Sequence, residues 1–348
     1  MNNIPQIISL NDISKEKIDQ YLSEQFPYNK AKFLINHGRW LCKGDENRFV
    51  IILDGMVIGY FGLLPTSIRR FGIKQKALWW IDLIISKEFR GYGYQTIIDQ
   101  YVRKKKEIKL GIPNKSAAKL HLKHNWLVRE NTRVFLYPIN PKVSLSNKKY
   151  FIKLDFLNKV FGLLITPIIR LHKFWIVKYH VKWSKEIFHP SPEIFENVFF
   201  NNLNNSHITT WRDKKYFNHR YLNSPIVKDL RFYSSYRKDF LTHYCIVRTI
   251  RNNGDKMLRI LDIYGDLNDS VTLTDLLKLV IKNALDDSIS QITVLSTSNR
   301  MNKIYRNCGF IISSASRFCC YDDKQKNIED FNDKIYLTLG DSDNDDYR

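Results

Sequence analysis

The chain has 348 residues with 44% hydrophobic and 14% aromatic content, which excludes a disordered chain and leaves room for two folded units. Its five cysteines (Cys42, Cys245, Cys308, Cys319, Cys320) form no Cys-x-x-Cys pair and have no His-rich companion, arguing against a disulfide framework and a zinc site. A formal net charge of +20 favours anionic partners, but a lysine excess spread along the chain defines no binding face, and no nucleic-acid motif accompanies it.

The opening Met1-Asn2-Asn3-Ile4-Pro5 has neither a basic nor an apolar leader region, so a reduced, cytoplasmic protein is expected. Helices are predicted from Lys15 to about Gln25 and from Phe33 to Trp40. Apolar runs Phe49 to Leu53 and Met56 to Leu64, joined by Asp54-Gly55, read as a hairpin, with Pro65 ending its second strand. Leu78 to Ile85 is β-branched and aromatic, too short for a helix, and reads as a buried strand interrupted by Asp82. Glu88-Phe89-Arg90-Gly91-Tyr92-Gly93-Tyr94 is a glycine turn before a helix reaching about Lys106. Strand, glycine turn and helix start together form a place to hold phosphate, because glycine lets the backbone approach an anion and the helix N-terminus directs free N–H groups at it. A short strand at Ile108–Gly111 and a late one at Val134 to Tyr137 follow, and Pro138 to Pro141 close a first unit of residues 1–141.

Residues 142–180 carry a helical stripe (Phe151, Leu154, Leu157, Phe161, Leu164). Pro167, Arg170, His172 and Lys173 interrupt the apolar run, so a packed helical linker is expected ahead of an amphipathic membrane contact or a membrane span. Residues 181–338 read as a second α/β unit: a helix capped by Ser191 with Pro192 at its first position, strands near 230–233, 241–249 and 258–264, a helix at 273–285, and a strand at 291–295. Residues 339–348 form an acidic tail, expected to be disordered.

One resemblance organises these elements. Arg90-Gly91-Tyr92-Gly93-Tyr94 fits the Arg/Gln-x-x-Gly-x-Gly/Ala pyrophosphate loop of the GNAT acyltransferase superfamily through its first five positions, with Gln95 in place of a small residue. Asn114, Ala117, Leu120, His121, Asn125 and Trp126 are similar to its next signature, with His121 where the family has a Tyr, Asn125 where it has Gly and Trp126 where it has Phe. The order repeats, with Asp262 matching Asp82 and Tyr305, Gly309 and Phe310 matching the second signature. The second copy has no glycine loop, and Asp262, Asp266 and Asp269 near its turn would repel a pyrophosphate. The resemblance implies an α/β protein of two GNAT-like domains, each a mixed, mostly antiparallel sheet flanked by helices, with one working donor site.

It further implies an acyl-CoA co-substrate and no metal. Arg90, Gly91, Tyr92, Gly93 and Tyr94 would bind the pyrophosphate, a backbone N–H from Leu83, Ile84 or Ile85 would polarise the thioester, and Asn114 would meet the pantetheine arm. Asp82 either handles the acceptor ammonium or is a structural carboxylate. His121 is the candidate general acid or base in the Tyr position. Trp80, His124, Arg212 and Arg220 are candidate acceptor contacts. Tandem proteins of this kind resemble enzymes that acylate nucleotide-linked amino sugars, dTDP sugars among them, for surface polysaccharide. The alternatives are a Fem-like aminoacyl-tRNA-dependent transferase acting on a peptidoglycan precursor and a non-catalytic GNAT-fold binding module.

Overall fold

The chain is described by a computed structural model over residues 5–140, 178–203, 207–252, 254–323 and 334–342, together with 167, 171, 172 and 174–176. Most of the 142–180 linker expectation and the end of the acidic tail, 343–348, lie outside these residues. The apolar run of the sequence becomes β4 (Ile73–Ile85), whose alternate residues serve two cores. Ala77, Trp79 and Ile81 pack on one face of the sheet, and Leu78 and Trp80 pack on the other. A strand covered on both faces has no need of polar alternation, which is why this stretch reads as continuously apolar.

The N-terminal half supplies β1 (Gln6–Ser9), α1 (Lys15–Gln25), α2 (Tyr28–Leu41), β2 (Arg48–Leu53), β3 (Met56–Arg70), β4, α3 (Tyr94–Arg103), β5 (Ile108–Gly111), α4 (Lys115–Lys123) and β6 (Leu127–Pro138). The C-terminal half supplies β7 (Ser184–Ile187), α5 (Pro192–Asn201), β8 (Thr209–Thr210), β9 (Leu230–Arg237), β10 (Phe240–Asn252), β11 (Asp255–Gly265), α6 (Ser270–Asp286), β12 (Gln291–Ser296), α7 (Asn299–Asn307) and β13 (Ile311–Tyr321). Pro65 does not end its strand, contrary to the sequence reading: β3 runs through it, pairing Pro65 with Leu78. The Pro65 carbonyl accepts from Lys43 Nζ at 2.8 Å. A residue's N and C=O leave a strand on the same side, so the missing N–H faces away from β4 and no ladder bond is lost.

Among the described residues the strands form one 13-stranded sheet in the order β1-β2-β3-β4-β5-β13-β6-β12-β11-β10-β9-β7, with β8 on β3. The halves exchange strands. β13 inserts beside β5, pairing Cys319 with Gly111 and Cys320 with Leu110, while β6 pairs with β12 from Gln291↔Pro138 to Ser296↔Arg133. The two swapped strands pair with each other at the centre. The expected boundary at residue 141 therefore separates the halves in sequence, but the sheet crosses it. Cys319 and Cys320 are buried on opposite faces of β13, as strand neighbours must be.

The expected disordered tail also begins as structure. Residues 334–342 run into the gap where β11 and β12 part: Leu337 N donates to Thr297 Oγ1 at 2.9 Å, and the Tyr336 hydroxyl donates to the Ile263 carbonyl of β11. Leu339–Asp341 form a buried 3-10 turn closed by a Thr338–Asp341 capping box. Below it, Arg212 donates bidentately to Asp262 (3.0 Å and 3.0 Å) and to Asp341 (3.1 Å), with all three side chains fully buried. Burial pushes the Asp262 carboxyl up, Arg212 pulls it down, and Asp341 adds to the rise. Arg212→Met should leave two carboxylates facing each other without a cation, at a cost of about 3–5 kcal/mol. The reading is a lower urea midpoint; an unchanged midpoint would show that the cluster contributes no net stability.

Candidate active site

β4 and β5 are paired in parallel only where Ala77, Leu78 and Trp79 meet Ile108, Lys109 and Leu110. Beyond Trp79, β4 continues to Ile85, held by β3 on its other side, while β5 ends at Gly111. Alternate backbone groups of residues 80–85 are thus left facing a cleft of ≈ 710 Å³. Its walls include Trp80, Asp82, Leu83, Ile84, Ile85, Arg90, Gly91, Asn114 and His121, so the structure brings most of the predicted donor-site residues together.

A bulge shapes the β4 wall. Tyr60 pairs with Ile84 and Gly62 with Ile81, so a single β3 residue stands against Asp82 and Leu83. Asp82 has φ +55°, a left-handed conformation that Asp tolerates better than the β-branched residues around it. Its carboxylate pairs with Lys30 of α2 at 2.7 Å, with only 5% of the side chain exposed. Asp82 therefore ties α2 to the bulge, which gives its structural reading a physical basis.

At the mouth of the cleft, the chain turns through a 3-10 segment, Lys87–Phe89, into Gly91 (φ +92°) and Gly93 (φ +84°) before α3. Both glycines occupy the left-handed region, and a Cβ on either would meet nothing within 4 Å, so the space above the loop is open. Arg90 Nε donates to the Ile85 carbonyl at 2.8 Å, pinning the loop to the end of β4. Gly93 caps α3 without a side-chain bond, leaving the amides of its first turn for an anion. Tyr92 is exposed and stacks with Tyr94 at 6.2 Å, outside the cleft walls. Asn114 Oδ1 is committed to capping α4 through Ala117 N at 2.9 Å, so its expected contact with a ligand is confined to its amide nitrogen.

His121 stands on α4 at the inner end of the cleft, buried against Trp80 (5.2 Å) and Trp126 (4.5 Å). Its Nδ1 lies 3.6 Å from Asp99 Oδ1, beyond hydrogen-bond length but within ion-pair range. This leaves Nε2 as the nitrogen for the cleft. Asp99, absent from the sequence reading, is the centre of the cluster: it is fully buried on α3 and accepts from Trp126 Nε1 (2.8 Å), Arg103 Nε (2.7 Å) and His124 Nδ1 (2.6 Å). Burial opposes the charged form, but the adjoining His121 and Arg103 outweigh it and hold the Asp99 carboxyl below the usual carboxylate range. The hint in the sequence was a carboxylate beside Ile98 and Val102 on a buried helix face, with Arg103 one turn on.

Three expected acceptor contacts have their side chains engaged elsewhere. His124 turns its ring to Asp99. Arg212 is held in the buried pair with Asp262 and Asp341. Arg220 is buried and donates to the carbonyls of Gly340 (2.8 Å) and Ser342 (2.6 Å), holding the C-terminal segment in place. Trp80 remains a wall of the cleft, and its indole N–H is buried without an acceptor among the described residues.

This arrangement can be compared with known folds. The sequence matches no family model, and no curated protein matches it. Among solved structures it is similar to a GCN5-related N-acetyltransferase from Anabaena variabilis, at 16% identity over 91% of this chain and 72% of that one, TM-score 0.58. The chain has the GNAT fold. It is also similar to Saccharomyces cerevisiae N-myristoyltransferase with bound myristoyl-CoA (11% identity, 96% and 89% coverage, TM-score 0.63). A third likeness is to an Enterococcus faecalis protein described as a probable N-acyltransferase (10%, 91% and 72%, TM-score 0.56). In this GNAT-fold chain the parting of β11 and β12 is filled, among the described residues, by residues 334–342.

Two measurements test the site. Gly93→Glu places a carboxylate where the loop amides converge and should weaken CoA binding at least roughly tenfold by calorimetry, the cost of one repelled charge at close range. Equal affinity would move the donor elsewhere. The depressed Asp99 carboxyl contributes stability that is complete above the unfolded carboxyl value of about 3.9 and is lost as pH falls through the folded value. Acid unfolding of Asp99→Asn should therefore be less steep below about pH 4 than that of the parent protein.

Proposed function

We propose that this protein is an acyl-CoA-dependent N-acyltransferase. The observation that carries the reading is the parted β4–β5 edge, which leads without interruption from His121 and the Asp82 bulge to the open Gly91–Gly93 loop at the start of α3. An extended donor with a diphosphate at one end and a thioester at the other matches a cleft with a helix N-terminus at one end and strand amides along its length.

In this reading the Gly91 to Tyr94 backbone holds the diphosphate, and Arg90 fixes the loop. An amide of Leu83 to Ile85 on the open edge donates to the thioester carbonyl and to the oxyanion that forms when the acceptor amine attacks. The C–S bond then breaks as His121, having taken the proton that the attacking nitrogen gives up, delivers it to the departing sulfur, its ring oriented by Asp99 and by the two tryptophans. Asp82, paired with Lys30, keeps the bulge and the α2 wall in position and takes no proton. Placement of the two substrates supplies much of the rate.

The acceptor is an amine. A nucleotide-linked amino sugar is what the sequence resemblance implies, but neither arginine expected to meet its diphosphate lies in the cleft, so that finer reading rests on the resemblance.

Calorimetric titration with CoA, followed by turnover of acetyl-CoA against a panel of amines, tests the proposal. Saturable CoA binding with amine-dependent thiol release is expected, and absence of CoA binding would overturn it. His121→Phe should lower turnover at least roughly tenfold with CoA affinity kept. Asp99→Asn should lower kcat without raising the KM for the donor, and unchanged turnover in both variants would remove the pair from the mechanism.

A further inference from the structure

A second concavity lies at the opposite end of β4. Ala77 and Leu78, where β4 and β5 are still paired, border a groove of ≈ 690 Å³ that also takes in the end of α2, the β3–β4 hairpin and the segment 211–219. Lys43, Lys74, Lys76 and Lys215 line it from three separate stretches of chain, against only Glu107 and Asp213. Asp213 is already engaged: one oxygen pairs with Lys74 at 2.7 Å and the other caps Tyr216 N at 2.9 Å. Lys43 donates to the Pro65 carbonyl and has no carboxylate partner among the described residues. It is also held at φ +57°, a conformation a lysine adopts at some cost.

The local field is positive beyond these four groups. Desolvation, then the charges of Lys215, Arg220 and Lys74, hold the Lys43 ammonium below the usual lysine range, while Asp213 acts the other way. Burial, then Lys43 and Arg220, push His219 down to about 4, so this wall of the groove is a neutral imidazole stacked on Trp40 at 5.3 Å. Trp211 contributes a second aromatic wall, with Lys74 Nζ 5.2 Å from its ring centre. Four ammonium groups against two carboxylates favour an anion, and flat aromatic walls favour a ring attached to it.

We propose that this groove binds a phosphate-bearing small molecule, with Lys43, Lys74 and Lys215 meeting the phosphate and Trp211 the remainder. The groove shares no lining residue with the acyl-transfer cleft, and its occupancy does not require the donor reading to hold.

The test titrates the CoA-saturated protein with inorganic pyrophosphate and, separately, with ADP, so that the Gly91–Gly93 loop is already filled. Submillimolar binding that weakens at least tenfold in Lys43→Gln/Lys215→Gln, with CoA affinity unchanged, is expected. ADP binding tighter than pyrophosphate assigns a role to the aromatic wall, and equal affinities assign recognition to the phosphate alone. Pyrophosphate binding that survives the double variant but disappears in Gly93→Glu belongs to the donor loop and overturns the proposal, as does the absence of any binding. Should CoA itself fail to bind, the comparison between parent and double variant still decides the groove.

Discussion

The exchange of β6 and β13 is the constraint on which the remainder of the structure depends. Each half has a strand edge that only the other half can cover: β5 is covered by β13, and β12 by β6. An uncovered apolar edge is both a loss of ladder hydrogen bonds and a template for aggregation. The two halves therefore share one sheet, and the sheet fixes the relation of the donor cleft to the C-terminal half.

Parallel neighbours part at two places in the sheet, and the molecule treats the two openings differently. A parting leaves backbone N–H and C=O groups that need partners from a ligand, water or the chain itself. Between β4 and β5 it is left open beside a glycine loop and a helix N-terminus. Between β11 and β12 it is filled by residues 334–342, whose Asp341 completes a charge cluster with Arg212 and Asp262. Asp82 on β4 and Asp262 on β11 each meet a cation, Lys30 in one case and Arg212 in the other. Each of these carboxylates is explained by holding neighbouring elements together.

Much of this was legible in the sequence, for identifiable reasons. The buried strand, the Gly91–Gly93 turn and α3 follow from local chemistry, because periodicity and glycine placement need no distant partner. The α/β class and the position of His121 beside the cleft followed from motif order. What the sequence withheld were long-range pairings. Nothing local shows that β13 lies next to β5, that Arg212 faces Asp341, or that Asp99 gathers His124, Trp126 and Arg103. Arg212 and Arg220 read as free cations because a charged side chain carries no mark of the carboxylates or carbonyls that will bury it. Pro65 misled for a similar reason: whether a strand tolerates proline depends on which side of the residue is unpaired.

The strand exchange also bears on synthesis at the ribosome. β5 is complete at Gly111, but the residues that cover it, Cys319 to Tyr321, lie about 200 positions later, a delay on the order of 10–40 s at ordinary translation rates. Throughout that interval the nascent N-terminal half carries an open, apolar strand edge that no local segment can close. Among the described residues, the last strand of the sheet to emerge is thus the piece that completes the first half.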